Sequence, residues 1–335
     1  MHLIQLMHPT QGRRIGVVKE PDIVLLDQQY TSAYQLFSDI VNKQFGTFAT
    51  IEALMTPEKL AYDPIYASHV DWRVLPPADC PEEPMRCMLS GTGLTHKASA
   101  DNRNKMHQTQ ETNALTDSMK IYLLGEEGGK PVANEIGIQP EWFYKGNGYN
   151  LKGHGQPLVA PSYADDGGEE PEIAAVYLNS QEGVPYRLGF AQGNEFSDHM
   201  METQNYLYLA PSKLRNSALG PELILDLTFQ SIPGKVRILR DGKEHWSKEI
   251  RSGEDAMCHS LANLEYHHFK YQQHRIPGQL HIHFLGAGAF SFGEKIQLEQ
   301  DDQMIVSFAE MGRPLVNPLQ IDSSQPQMPV INSLS

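Results

Sequence analysis

A chain of 335 residues with 40% hydrophobic and 20% charged residues has the balance of a core-forming protein of about two domains. Its formal net charge of -14 speaks against nucleic acid or an anionic membrane as a partner. No apolar run approaches the ~18 residues of a membrane span, and MHLIQLMHPTQGRR has neither the charge order nor the length of a signal peptide, so a cytoplasmic location is expected.

In chain order, Gly16-Val17-Val18 and Ile23 to Leu26 read as short strands about a Pro-Asp turn. Ser32 to Phe45 follows as an amphipathic helix, with Tyr34, Leu36, Phe37, Ile40 and Val41 near helical spacing. These elements make residues 1–75 a small N-terminal unit. The stretch 76–85 is proline-rich, PPADCPEEP from Pro76 to Pro84, and has the composition of a linker. From there to residue 322 the chain is rich in strands and glycine, with a helix expected over Asp255 to Gln273 and short strands in HIHFLGAGAFSF and QMIVSFAEMG. Residues 323–335 form a polar tail expected to be loose. Cys80, Cys87 and Cys258 are odd in number and lack C-x-x-C spacing, which suggests neither a zinc site nor a disulfide framework. The expected class is α+β, mainly β.

The chemistry concentrates in one segment. Glu170 and Glu172 are two apart ahead of IAAVYLNS, so on a strand they share a face. A turn at Gln181 to Pro185 leads into YRLGFAQG, and antiparallel pairing about Gly183 places Glu195 within a residue or so of Glu172. Three carboxylates brought so close need a cation or a shared proton. Oxygen-only ligands suit a hard divalent ion, Mg²⁺ before Ca²⁺ or Mn²⁺.

Six motifs then occur in a recognisable order: G-T-G-L-T-H (Gly91 to His96), W-F-Y-K-G (Trp142 to Gly146), E-P-E-I-A (Glu170 to Ala174), G-N-E-F-S (Gly193 to Ser197), S-K with L-G-P (Ser212-Lys213, Leu219 to Pro221) and F-L-G-A-G-A (Phe284 to Ala289). This order resembles the fumarylacetoacetate hydrolase superfamily over essentially the whole chain. MCHSLANLEYHHFKY and the long insert between His96 and Trp142 resemble its GguC-like branch, associated with sugar-acid catabolism. The resemblance implies a small N-terminal domain, a mixed β-roll carrying the site, and a homodimer. It also implies that Glu170, Glu172 and Glu195 hold Mg²⁺, with glutamate at the third position where aspartate is usual. Lys213 matches the active-site lysine and His96 the family's proton-moving histidine. Thr95, Lys145, Asn194, Gly286 and Ala287 fall at positions that face the substrate.

Two departures bear on the reaction. The His96 loop is one residue shorter than the family's Asn-Tyr-x-x-His, and Ser99 stands where a glutamate would orient the histidine, with Asp101 the nearest substitute. Leu285-Gly286-Ala287-Gly288-Ala289 replaces a Thr-Gly-Thr-Pro loop. The histidines 267, 268, 281 and 283 lack an acid to complete a ligand set and are read as structural.

A divalent ion bound by the C1 carboxylate and C2 carbonyl of a 2-keto acid favours loss of a C3 proton. The expected activity is therefore Mg²⁺-dependent dehydration of a 2-keto-3-deoxy sugar acid, such as a 2-keto-3-deoxy-pentonate giving 2-oxoglutarate semialdehyde. Its alternatives are C–C hydrolysis of an acylpyruvate or a 2,4-diketo-3-deoxy sugar acid, and a non-catalytic ligand-binding protein. A small-molecule 2-keto acid is the expected partner.

Overall fold

The computed structural model describes residues 1–107, 116–133 and 135–334. Residues 108–115 and 134, part of the long insert, and Ser335 of the tail lie outside the described residues. Two sheets carry the architecture. The larger, of 13 strands, runs from Met55–Ala61 through Asp22–Leu26, Gly12–Lys19 and His2–His8 to Leu223–Ile224, Pro185–Asn194, Pro171–Asn179, Leu280–Phe284, Cys87–Gly91 and Phe143–Asn147. The second, of five strands, is ordered Lys243–Ser252, Ile232–Arg240, Gln303–Phe308, Leu315–Ile321 and Leu158–Ala160.

The first strand, His2–His8, is missing from the sequence-based expectation, yet it joins the N-terminal strands to the rest of the sheet. It pairs with Gly12–Lys19 on one side and Leu223–Ile224 on the other, burying Leu3, Ile4 and Leu6. The expected helix is present as Ala33–Lys43: Ser32 accepts the Gln35 N–H as N-cap, and Leu36, Phe37, Ile40 and Val41 are buried.

The strand Pro171–Asn179 is buried along its whole length. Its alternate residues feed two cores: Ile173, Ala175 and Tyr177 enter one, Ala174, Val176 and Leu178 the other. Burial on both faces explains why the segment reads as a continuous apolar run. On one side it pairs with Pro185–Asn194 through a turn in which the Ser180 N–H donates to the Val184 carbonyl and Gly183 takes φ +75°. On the other it pairs with Leu280–Phe284, which itself runs parallel to Cys87–Gly91.

The helix expected over Asp255 to Gln273 is shorter, Leu261–Phe269. Ser260 accepts the Asn263 N–H and starts it late, because Met257 is held extended by bridging His96. Helices Lys97–His107, Asp117–Gly128 and His199–Gln204 were not foreseen. The first two have weakly amphipathic sequences. The three cysteines are free and buried. Among the described residues no helix is long and apolar enough to cross a membrane.

Candidate active site

The hairpin register puts Pro171 opposite Asn194 and Glu172 opposite Gly193, and the Glu195 N–H donates to the Glu170 carbonyl at 2.9 Å. Glu195 therefore faces Glu170 rather than Glu172, and the three carboxylates converge as the spacing required. One oxygen from each lies within 4.8 Å of the others, and all three residues are buried.

Lys213, at the C-cap of the short helix Leu209–Ser212, joins them. Its Nζ donates to Glu170 Oε1 at 2.5 Å and to Glu195 Oε2 at 3.0 Å, with 0% of the residue exposed. Burial opposes its charge, but the facing Glu170 and Glu195 carboxylates outweigh that and hold the ammonium protonated well above its ordinary range. Lys145, on Phe143–Asn147, is equally buried and pairs with Glu195 Oε1 at 2.7 Å while donating to the Phe196 carbonyl at 2.6 Å. Its place is against the acids.

Glu172 has no lysine. Its Oε2 accepts the Gly286 N–H at 2.6 Å, and burial, then the neighbouring Glu195 and Glu170, push its pKa well up. Without a cation it keeps its proton. Around the centre Lys145, Lys213, Arg103 and the His199 ring stand among Glu141, Glu170, Glu172, Glu195 and Glu202, and Glu172 is the acid of the cluster left without a basic partner among the described residues. A divalent ion there would favour its ionised form, and an all-oxygen donor set fits Mg²⁺.

Some neighbours of the acids escaped sequence reasoning. His199 Nε2 meets Glu170 Oε1 at 3.0 Å, and its ring stacks on Phe290 and Phe292. Arg103, in Lys97–His107, ties Glu141 (2.7 Å) to Glu202 (2.7 Å), linking the segment after His96 to the helix that begins with His199. Glu169 accepts both the N–H and hydroxyl of Ser291, at 2.7 and 2.8 Å. No motif spacing marks these residues, since their partners come from distant parts of the chain; only the H-M-M-E run after Asn194-Glu195 placed His199 and Glu202 near the site in sequence.

Asn194 turns its Oδ1 to the Glu170 N–H at 3.2 Å, bracing that acid. The Gly286 amide is spent on Glu172, and Ala287 is buried beside it. A Cβ at Gly286, where φ is +102°, would overlap Thr95 Oγ1, so glycine lets the Thr95 loop lie on the amide that holds Glu172. Thr95 Oγ1 donates its one hydrogen to the Leu285 carbonyl at 2.8 Å and so accepts from His96 Nδ1–H at 2.9 Å. The partner of His96 is thus a hydroxyl, not Asp101. Its Nε2 is buried without a partner, and burial lowers its pKa to about 4. His96 is a neutral ring with a free lone pair.

The histidines read as structural form a separate array. Trp142 Nε1–H donates to His268 Nδ1 (3.1 Å), and His268 Nε2–H donates to His281 Nδ1 (3.0 Å). His283 sits between the Ser90 and Thr92 hydroxyls, 2.8 Å from each. His267 contacts the Gly137 carbonyl at 3.0 Å. Among the described residues the triple-glutamate group alone has the disposition to hold a metal.

The same arrangement of strands occurs in solved structures. A 2-keto-3-deoxy-D-arabinonate dehydratase in its apo form superposes with a TM-score of 0.69 over 96% of this chain and 99% of its own, at 17% identity. The chain shares the fold of this dehydratase. A 2-keto-3-deoxy-D-arabinonate dehydratase complexed with magnesium and 2,5-dioxopentanoate matches with a TM-score of 0.69, 17% identity and coverage of 97% and 100%. A 5-carboxymethyl-2-hydroxymuconate delta-isomerase from Mycobacterium smegmatis matches at 0.58, with 16% identity and the same coverage. No family model matches the chain. No curated relative matches it either.

Proposed function

We propose that this fumarylacetoacetate hydrolase-fold protein is a Mg²⁺-dependent dehydratase of a 2-keto-3-deoxy sugar acid, taking a 2-keto-3-deoxy-pentonate to 2,5-dioxopentanoate (2-oxoglutarate semialdehyde). Glu170, Glu172 and Glu195 would hold the ion. When bound, it supplies the positive charge that makes a C3 proton of a 2-keto acid removable. The observation that carries the choice of reaction is the bond from His96 to Thr95. Water activation for C–C hydrolysis calls for a histidine backed by a carboxylate, and this one is backed by a hydroxyl.

A neutral imidazole with a free Nε2 is a base. In the proposed reaction His96 takes the C3 proton and, now protonated, returns it to the hydroxyl leaving C4. Water is lost and C3 and C4 become doubly bonded; a proton then moves from C5 to C3, and the C4–C5 enol so formed passes its hydroxyl proton to C4, yielding the aldehyde. Lys213 is held charged by two acids and serves to offset negative charge on the substrate rather than to give up its proton. The solved dehydratase complexed with magnesium and 2,5-dioxopentanoate supports this reading by its fold and its contents.

The experiment is incubation of the purified protein and Mg²⁺ with 2-keto-3-deoxy-pentonates and, separately, with acylpyruvates, with products identified by mass. Loss of one water without chain cleavage is the expected result. Pyruvate release would replace this reading with hydrolysis, and binding without turnover of either class would replace it with a binding protein.

A further inference from the structure

One peptide group stands between His96 and the triple-glutamate cluster. It joins Leu285 to Gly286, just past the strand Leu280–Phe284. Its C=O accepts the Thr95 hydroxyl hydrogen at 2.8 Å, and its N–H donates to Glu172 Oε2 at 2.6 Å. The group is planar, so Thr95 and Glu172 grip two edges of one rigid plate, and turning the plate would break both bonds. The donation from His96 Nδ1–H to Thr95 Oγ1 extends the chain. Every bond in it points the same way, from imidazole to hydroxyl to carbonyl and from the amide of that peptide to the carboxyl. Buried hydrogen bonds aligned head to tail reinforce one another.

The Thr95 end of the chain is pinned as well. The Thr95 carbonyl accepts the Cys258 N–H at 2.8 Å, the Thr92 N–H donates to the Phe284 carbonyl at 2.9 Å, and His96 bridges Met257. The loop is thereby fixed both to the strand that leads into the peptide and to the Met257-Cys258 segment. Thr95 is fully buried, and its single hydroxyl hydrogen is spent on Leu285, so none is left for a substrate. A neutral imidazole carries one N–H and can place it on either nitrogen. An oxygen whose hydrogen is already committed can only accept, which selects the Nδ1–H form and leaves the lone pair on Nε2.

We propose that Thr95 is the positioning residue for the base: its hydroxyl locks His96 in the Nδ1–H tautomer, and the Leu285–Gly286 peptide registers the ring against Glu172. The role of His96 as base rests on the dehydratase reading; the tautomer lock does not. A hydroxyl and a peptide together supply what a carboxylate supplies to a paired histidine, a chosen tautomer and a fixed ring direction.

The test reads the ring and the reaction separately. Histidine ring nitrogens are isotope-labelled in the full chain and followed by NMR, with the His96 signals assigned by their loss in His96→Gln. In the unaltered protein His96 should carry its proton on Nδ1. Thr95→Val should move the ring to the Nε2–H form or to a mixture, and Thr95→Ser should restore the Nδ1–H form. In dehydration assays with Mg²⁺, Thr95→Val should lower kcat by about 10–100-fold with KM within about twofold, and Thr95→Ser should recover kcat to within about threefold. An Nε2–H ring in the unaltered protein, a result that needs no Thr95 variant, would overturn the proposal. So would Thr95→Val with the Nδ1–H ring retained, or with KM raised and kcat unchanged, since the hydroxyl would then be binding substrate. A locked Nδ1–H ring that Thr95→Val releases, in a protein that dehydrates nothing, would support the lock and overturn the dehydratase reading instead.

Discussion

Glu172 and the pair His281 and His283 lie on adjoining strands of one sheet, with Glu195 just past the end of the next strand and all of them removed from water, yet the two clusters reach electrical balance differently. The acids are matched against Lys145, Lys213, Arg103 and His199, and the one left over, Glu172, is pushed toward its protonated form. The histidines are neutral rings whose hydrogen bonds run one way. Trp142 can only donate, so His268 must accept at Nδ1 and donate at Nε2, and His281 must accept in turn. No proton can be added to His268 without facing the indole N–H. The first cluster holds a carboxyl whose ionisation a bound cation would favour; the second is complete as it stands. The difference teaches how a buried polar group is left able to take a ligand: by holding one acid short of a basic partner.

Glu172→Gln tests that contrast most severely. Since Glu172 keeps its proton without an ion, a neutral isostere should leave urea stability in chelator within about 0.5 kcal/mol of wild type. It should also abolish the rise in Tm with Mg²⁺ and lower turnover by at least about a hundredfold. Wild-type turnover in this variant would refute the metal assignment.

Lys213→Met removes one charge from between Glu170 and Glu195. Breaking a fully buried pair typically costs about 3–5 kcal/mol, here read as a lower urea midpoint in chelator, with part of the loss recovered on adding Mg²⁺. A midpoint unmoved by the substitution would mean the acids are not ionised around it.

The histidine array should respond to acid instead of to metal. Burial lowers the pKa of His281 and His283 to about 3, whereas in the unfolded chain each titrates near 6.5. Below about 6.5 the unfolded state binds the proton and the folded state does not. Their contribution is therefore fully present above that pH and is lost as pH falls toward 3, at up to about 1.4 kcal/mol per pH unit for each ring. The urea midpoint followed from pH 7 to 4 in chelator reads this, and His283→Gln should flatten the slope.

His268→Phe, the mildest change, leaves the Trp142 N–H and His281 Nδ1 without partners. A loss of about 1–3 kcal/mol in stability is expected, with turnover within about twofold of wild type. A large fall in turnover would make the array part of the catalytic machinery and erase the contrast.

Much of this was written locally. Period-two spacing put Glu170 and Glu172 on one face, the turn at Gly183 folded Glu195 back to them, and the Ser32 cap with its apolar stripe marked the helix Ala33–Lys43. Strand periodicity and turn chemistry act over a few residues, so they are legible in a few residues. What they do not carry is which distant segments arrive. Lys213, Lys145 and His199 take their positions from the paths of other elements, and Arg103 from a helix whose sequence scarcely predicts one. The register also shifted the pairing by one step, setting Glu195 against Glu170, and the Thr95 hydroxyl took the place beside His96 where spacing suggested Asp101. Alone, the amino-acid order determined that three carboxylates must meet and need a cation or a shared proton. Only the tertiary structure decided which cations already stand among them, which acid keeps its proton, and that His96 is a neutral ring with an unpartnered Nε2, because each of those is set by burial and by partners that pairing of remote strands brings within about 3 Å.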